Sequence, residues 1–187
     1  MMEIRWHGRG GQGAKTASQF LGEAALDTGK YIQSFPEYGP ERAGAPMKAF
    51  NRISEEPIYI HSSVTNPTMV VVIDPTLMGA IDVTEGIGDD GVLLVNTDKS
   101  PEEIRKMANF TKGKVGTVDA TKIALETLGL PMPNMPMLGA LLKTNPLVTI
   151  DQLSERIKNK FLKKIGEEKT NANLKGIERA YNEVKIG

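Results

Sequence analysis

"EIRWHGRGGQGAK", Glu3–Lys15, decides how the chain is read. Residues 3–7 alternate polar and apolar, the period of a β-strand. HGRGGQG, His7–Gly13, follows with four glycines. Glycine loses more conformational freedom on folding than any other residue, so such a cluster marks a sharp turn or a close approach to the backbone. Beyond it, Ala17, Phe20, Leu21, Ala24, Ala25 and Leu26 fall at helical spacing within Ala14–Thr28, and Gly29 is placed to end that helix. A strand, a glycine loop and a helix are the opening of an α/β unit. Gly8-x-Gly10-x-x-Gly13 fits the dinucleotide-binding spacing in the context that spacing requires. The first glycine permits the turn, the second lets a phosphate approach the backbone, and the third lets helix and strand pack closely. Free N–H groups at the helix start attract an anion. Gly8, Arg9, Gly10, Gly11, Gln12 and Gly13 are therefore candidate phosphate contacts, with the Gln12 amide as a side-chain donor and Lys15 adding charge.

Working outward, Tyr31–Phe35 reads as a second strand, and residues 36–46, PEYGPERAGAP, as a shaped loop. Met47–Ile53 and Ile58–Ile60 read as strands that add an antiparallel pair. Met69–Asp74 (MVVVID) is a continuous run typical of a strand buried on both faces. Val92–Asn96 and Lys114–Asp119 follow as further strands. Helices are expected over Pro101–Met107 behind a Ser100 cap, Ala120–Leu128, Asn134–Lys143, Asp151–Lys164 and Leu174–Lys185. The charged C-terminal helices are expected to pack outside or against a partner. Together these predict one α/β domain over residues 1–187. It is a Rossmann-like three-layer arrangement with a mostly parallel central sheet and an added antiparallel strand pair.

Composition narrows the function. Lys+Arg and Asp+Glu are 23 each, so nothing calls for nucleic acid or an anionic membrane. There is no cysteine, hence no disulfide, no thiolate metal site and no iron–sulfur cluster held by this chain. Two histidines far apart, His7 and His61, do not suggest zinc. No signal peptide or membrane span is legible, and the chain reads as soluble and cytoplasmic. Gly88-Asp89-Asp90-Gly91 imitates a magnesium-binding GDG, but the doubled aspartate breaks that pattern and a turn before Val92–Asn96 is the better reading.

Several residues carry two readings. The glycines either cradle a phosphate or simply permit a tight strand–helix turn. A nicotinamide enzyme would place an acidic residue about 20 residues after the loop to hold a ribose; Glu37 stands near there, but in a proline-rich stretch foreign to such folds. Tyr38, Glu41 and Arg42 sit on a loop stiffened by Pro36, Pro40 and Pro46, where Arg42 reaches either a phosphate or a carboxylate. Asn134 is an N-cap or a ligand contact. Asp74 closes a buried strand at its C-terminal end, where open α/β sheets place ligands. Thr65 and Asn66 read as loop-formers, His7 as structural and Trp6 as core. The methionines of 132–137 read as adaptable packing at a subunit contact.

GRGGQG (8–13), FPEYGPERAGAPMKAFNRIS (35–54) and NMPMLGALLK (134–143), in that order, resemble the gamma subunit of the 2-oxoacid:ferredoxin oxidoreductases, the pyruvate-oxidising members most of all. The likeness runs over nearly the whole chain. It implies a Rossmann-like domain within an enzyme that converts pyruvate, CoA and oxidised ferredoxin to acetyl-CoA, CO2 and reduced ferredoxin. It implies alpha, beta and delta subunits as partners, with thiamine diphosphate, Mg2+ and [4Fe-4S] clusters on those partners and ferredoxin engaged through the complex. This chain would bind no cofactor alone and would contribute assembly contacts and a surface for CoA. On the readings above that surface would include Gly8, Arg9, Gly10, Gly11, Gln12, Gly13, Tyr38 and Arg42, with Asn134 added by its family position. The family carries a second arginine where this chain has Ala43, so a paired-arginine grip on one phosphate is not available here. Nothing else in the chain forms an acid–base or nucleophile set of its own. The other functions in view are a subunit of a related branched-chain or aryl 2-oxoacid enzyme and a free-standing nucleotide-binding reductase.

Overall fold

The computed structural model describes residues 1–38 and 44–187. The opening alternation forms β1 (Met2–Arg9), and α1 (Ala14–Asp27) leaves the glycine loop as expected. β2 (Tyr31–Tyr38) and β3 (Pro46–Ser54) form the antiparallel pair. β4 (Met69–Val72), β5 (Val92–Asn96) and β6 (Lys114–Val118) continue the sheet, and a short β7 (Lys185–Ile186) closes it. The order is β2-β3-β1-β4-β5-β6-β7. β1, β4, β5 and β6 are parallel, and β3 runs antiparallel to both of its neighbours. The central sheet is thus mostly parallel with an antiparallel flank, as the sequence predicts.

Helices cover both faces. Ile4, Trp6, Met69, Val71 and Leu94 point into the larger core, under α1 and α4 (Asn134–Thr144). Val70, Val72, Leu93 and Val95 point the other way, onto Ile104 of α2 (Pro101–Met107) and onto Val83 and Phe110. α3 (Ala120–Leu128), α5 (Ile150–Ile165) and α6 (Glu167–Glu183) complete the larger side. A helix buried all round must be apolar all round; MPMLGALL in α4 meets that condition, because the sheet lies beneath it and α6 above it. The two helices cross so closely that a Cβ on Gly139 would overlap the Ile177 carbonyl oxygen.

The expectations fail at four places, each for a physical reason. β2 runs on through Pro36, because an edge strand tolerates a residue that cannot donate to the ladder. Ile58–Ile60 joins no strand. β3 already has β1 on one side and β2 on the other, and side chains pin the following segment instead: Gln33 Nε2 donates to the Ile60 carbonyl (2.8 Å) and Arg52 Nη2 to the Ser62 carbonyl (2.7 Å). α6 starts at Glu167 rather than Leu174. Its first turns bury Thr170 and Asn173, which bond back to the Gly166 and Lys169 carbonyls, so no apolar stripe announces them. β4 stops at Val72, short of the expected Asp74, because the Asp74 carboxylate turns to cap a 3-10 helix, Pro75–Gly79, through Thr76 N–H.

The α4–α6 crossing predicts that Gly139→Ala lowers unfolding free energy by about 2 kcal/mol or more, since backbone must separate to admit one methyl group. Denaturant unfolding followed by circular dichroism checks it; an unchanged midpoint refutes the close crossing.

Candidate functional site

The glycine loop leaves β1 at the C-terminal edge of the parallel strands. Its Gly10 N–H donates to the Ala45 carbonyl (3.0 Å) and its Gly10 carbonyl accepts from Gly44 N–H (3.3 Å). These bonds prolong the β1–β3 ladder into the loop, so the Gly10 N–H is engaged by backbone, while Gly10 itself still lines the cleft described below. Gly11 (φ 96°) and Gly13 (φ 80°) occupy the left-handed region that disfavours side chains. Gly8 has neither a left-handed φ nor a crowded Cβ position, its nearest neighbour being Gln12 Oε1 at 3.4 Å.

Both ends of the Gln12 amide are engaged within the protein. Its Oε1 accepts from Arg9 N–H (2.7 Å) and its Nε2 donates to Asp74 Oδ2 (2.8 Å). Arg9 is likewise engaged: Nε meets Asp74 Oδ2 at 3.1 Å, Nη2 meets Thr76 Oγ1 at 3.2 Å, and Nη1 meets the Gly44 carbonyl at 3.3 Å. Burial pushes the Asp74 carboxyl up, but hydrogen bonds from Thr76 and Gln12 and the Arg9 guanidinium outweigh it and hold the group below the ordinary carboxylate range.

The donors that remain are at the helix starts. Gly13 caps α1 with no side-chain bond, and the first N–H groups of a helix have no partner within it. Asn134 is the first residue of α4, not its cap; the cap is Pro133. The Asn134 side chain, 4% exposed, instead donates from Nδ2 to the Gly13 carbonyl (3.3 Å). That bond draws two helix N-termini together, and their dipoles add at the same point. A Cβ on Gly13 would collide with Asn134 Nδ2.

A cleft of about 480 Å³ opens between these termini. Gly11, Gly13, Ala14, Lys15 and Thr16 form its polar end. Leu128, Leu130, Met132, Met135, Phe161 and Ile165 form an apolar wall, and Lys169 and Asn173 stand on its other rim. Anionic groups fit one end and an apolar chain the other. The C-terminal helices supply Phe161, Lys169 and Asn173, which sequence reasoning missed. No local motif marks them, because only the packing of α5 and α6 over α4 brings them to the loop.

The remaining candidates are placed as follows. Tyr38 ends β2 opposite Met47; Glu41, Arg42 and Ala43 lie outside the described residues. Glu37 sits on β2, separated from β1 by the whole of β3, and accepts from Ser63 Oγ (2.9 Å). Strands lie about 4.8 Å apart, so a ribose held at the glycine loop is far from this carboxylate. Asp89 of the GDDG turn pairs with Lys112 at 2.5 Å, and the Gly91 N–H closes the turn on the Gly88 carbonyl. Met137 is interior, Met132 reaches the cleft, and Met135 is buried at the cleft wall. Trp6 is core, its Nε1 donating to Asn51 Oδ1 (2.8 Å). Among the described residues no group of three His, Cys, Asp or Glu is placed to hold a metal ion, and no helix is long and apolar enough to cross a membrane.

His7 points away from the cleft. Its Nε2 accepts from Arg5 Nε (3.0 Å), while Arg5 Nη2 holds the Val83 and Glu85 carbonyls. Burial first, then the charges of Arg5 and Lys48, push the imidazole down to about 3.

The pyruvate ferredoxin/flavodoxin oxidoreductase family model matches residues 3–183. The chain is 54% identical to pyruvate synthase subunit PorC of Thermotoga maritima, over 98% of this chain and 94% of that one. It is 47% identical to the pyruvate/ketoisovalerate oxidoreductases common subunit gamma of Thermococcus kodakarensis, over 100% and 98%. Among solved structures, pyruvate oxidoreductase subunit PORC of Thermotoga maritima superposes with a TM-score of 0.88 at 50% identity, covering 100% of this chain and 98% of that one.

His7 generates a pH prediction. Its folded pKa is about 3 against an ordinary 6.5, so the unfolded chain binds the extra proton between those values. Its contribution is complete above pH 6.5 and is lost as pH falls toward 3. The loss runs at about 1.4 kcal/mol per pH unit across that window. In His7→Gln the unfolding free energy should fall less steeply there than in the unsubstituted protein. Equal slopes in urea titrations at matched pH values would refute it.

Proposed function

The chain belongs to the pyruvate ferredoxin/flavodoxin oxidoreductase family, and from that membership we propose that it is the gamma subunit of a pyruvate:ferredoxin oxidoreductase complex whose glycine-loop cleft holds the phosphates of CoA. Its work is non-redox. With no cysteine it cannot ligate an iron–sulfur cluster, so the [4Fe-4S] clusters, thiamine diphosphate and Mg2+ belong on the alpha, beta and delta partners, and ferredoxin docks on the complex. The enzyme is read as cytoplasmic. The name of the Thermococcus kodakarensis relative assigns one gamma to both pyruvate and ketoisovalerate oxidoreductases. That supports placing the choice of 2-oxoacid on other subunits.

One observation carries the CoA reading: the convergence of the α1 and α4 N-termini on a cleft with Lys15 and Lys169 at its polar rims and an apolar wall between. CoA is itself a phosphate-rich head joined to a largely uncharged chain, and the cleft divides in the same way. Gly11, Gly13 and the α1 start contact the phosphates; Asn134, which also lines the cleft, braces the loop at Gly13. A nicotinamide reductase is disfavoured because β3 stands between the loop and Glu37.

In the assembled complex, Lys15→Ala combined with Lys169→Ala should raise KM for CoA about tenfold or more and leave KM for pyruvate within twofold. Two charge-assisted contacts account for that magnitude. Steady-state kinetics at varied CoA checks it, and an unchanged KM for CoA overturns the cleft as its site.

A further inference from the structure

A loop of four glycines in six residues, GRGGQG, is disordered by its own composition unless something fixes it. Binding of a phosphate to a loose loop loses affinity to ordering, whereas a loop already held in place does not. The structure contains the fixing group. Asp74, 8% exposed, stands two residues past the end of β4, beside the end of β1. Each of its oxygens accepts two hydrogen bonds. Oδ1 takes Thr76 N–H (3.0 Å) and Thr76 Oγ1 (2.6 Å); Oδ2 takes Arg9 Nε (3.1 Å) and Gln12 Nε2 (2.8 Å). Gln12 passes the restraint on, gripping Arg9 N–H with Oε1. Thr76 passes it to the other side of Arg9.

We propose that Asp74 is the positioning residue of the glycine-loop site, acting through Gln12 and Arg9 to hold Gly11 and Gly13 in their left-handed conformations before CoA arrives. This inference rests on the cleft being the CoA phosphate site. Asp74 does not line the cleft, and its lone pairs are fully engaged, so it neither touches the ligand nor accepts a proton from it. Its charge is set against that of Arg9, and Arg9 is thereby a tie rather than a phosphate ligand. Asparagine cannot replace it. With one oxygen and one amide, an asparagine side chain at this position would aim a donor at either the Thr76 pair or the Arg9–Gln12 pair.

The two possible roles of Asp74 predict opposite signs. A carboxylate acting only through its charge repels an anion, and Asp74→Asn would then tighten CoA binding. A positioning residue gives weaker binding on the same substitution. In the assembled complex, Asp74→Asn should raise KM for CoA about tenfold while KM for pyruvate stays within twofold. Gln12→Ala, which leaves Asp74 and its Thr76 bonds in place, should do the same, and the double variant should be no worse than the weaker single, because both break one chain of restraint. Thermal melting of each complex excludes loss of fold. A KM for CoA that is unchanged or lowered in both variants overturns the proposal. If Lys15→Ala with Lys169→Ala raises KM for CoA in that same case, the cleft stands and the positioning role alone has failed. If no variant moves it, the reading of the cleft has failed and the proposal with it.

Discussion

The insertion of β3 between β1 and β2 is the constraint from which the site follows. β1 and β2 run parallel and are joined by α1, the usual opening of a nucleotide-binding sheet, but an antiparallel strand occupies the place between them. The same insertion brings residues 44 and 45 against the glycine loop, where they consume the Gly10 backbone groups. It also moves β2 out to the edge, away from any ligand at the loop. What remains is a cleft, the proposed phosphate site, whose second half comes from α4 instead of from a neighbouring strand. A glycine fingerprint has thus been kept while the partner that reads a ribose has been displaced.

The flank that β3 creates handles its exposed face with charge. Arg5 and Arg52 lie almost wholly buried there, at 4% and 1% exposure. Each is satisfied: Arg5 by His7 and two carbonyls, Arg52 by Glu3 (2.7 Å), Gln33 (3.1 Å) and the Ser62 carbonyl. A buried guanidinium is tolerable only when its donors are met. These two arginines therefore fasten the irregular segments 55–68 and 80–88 to the sheet in place of a covering helix.

The fold is largely legible in the sequence because its signals are local. MVVVID and VLLVN read as buried strands, and the Ser100 cap and the all-apolar MPMLGALL helix stand where they should. The site is legible only in part. The glycines announce the loop, yet Gln12 and Arg9, which look like ligands in one dimension, turn inward to Asp74, more than sixty positions away. Asn134 looks like a cap and is a brace between helices. Lys169 and Phe161 carry no signal at all, since their place in the cleft depends on how α5 and α6 lie over α4. Interactions within one element show in sequence; interactions that join elements distant in the chain do not.

The burial of α4 on every side has a consequence for synthesis. During translation α4 leaves the ribosome before α6 exists, with an apolar surface facing outward that the sheet cannot cover. Until Glu167–Glu183 emerges and Ile177 seats against Gly139, the nascent chain exposes the kind of surface on which incomplete proteins aggregate. Packing of α6 is the event that removes this apolar surface from solvent.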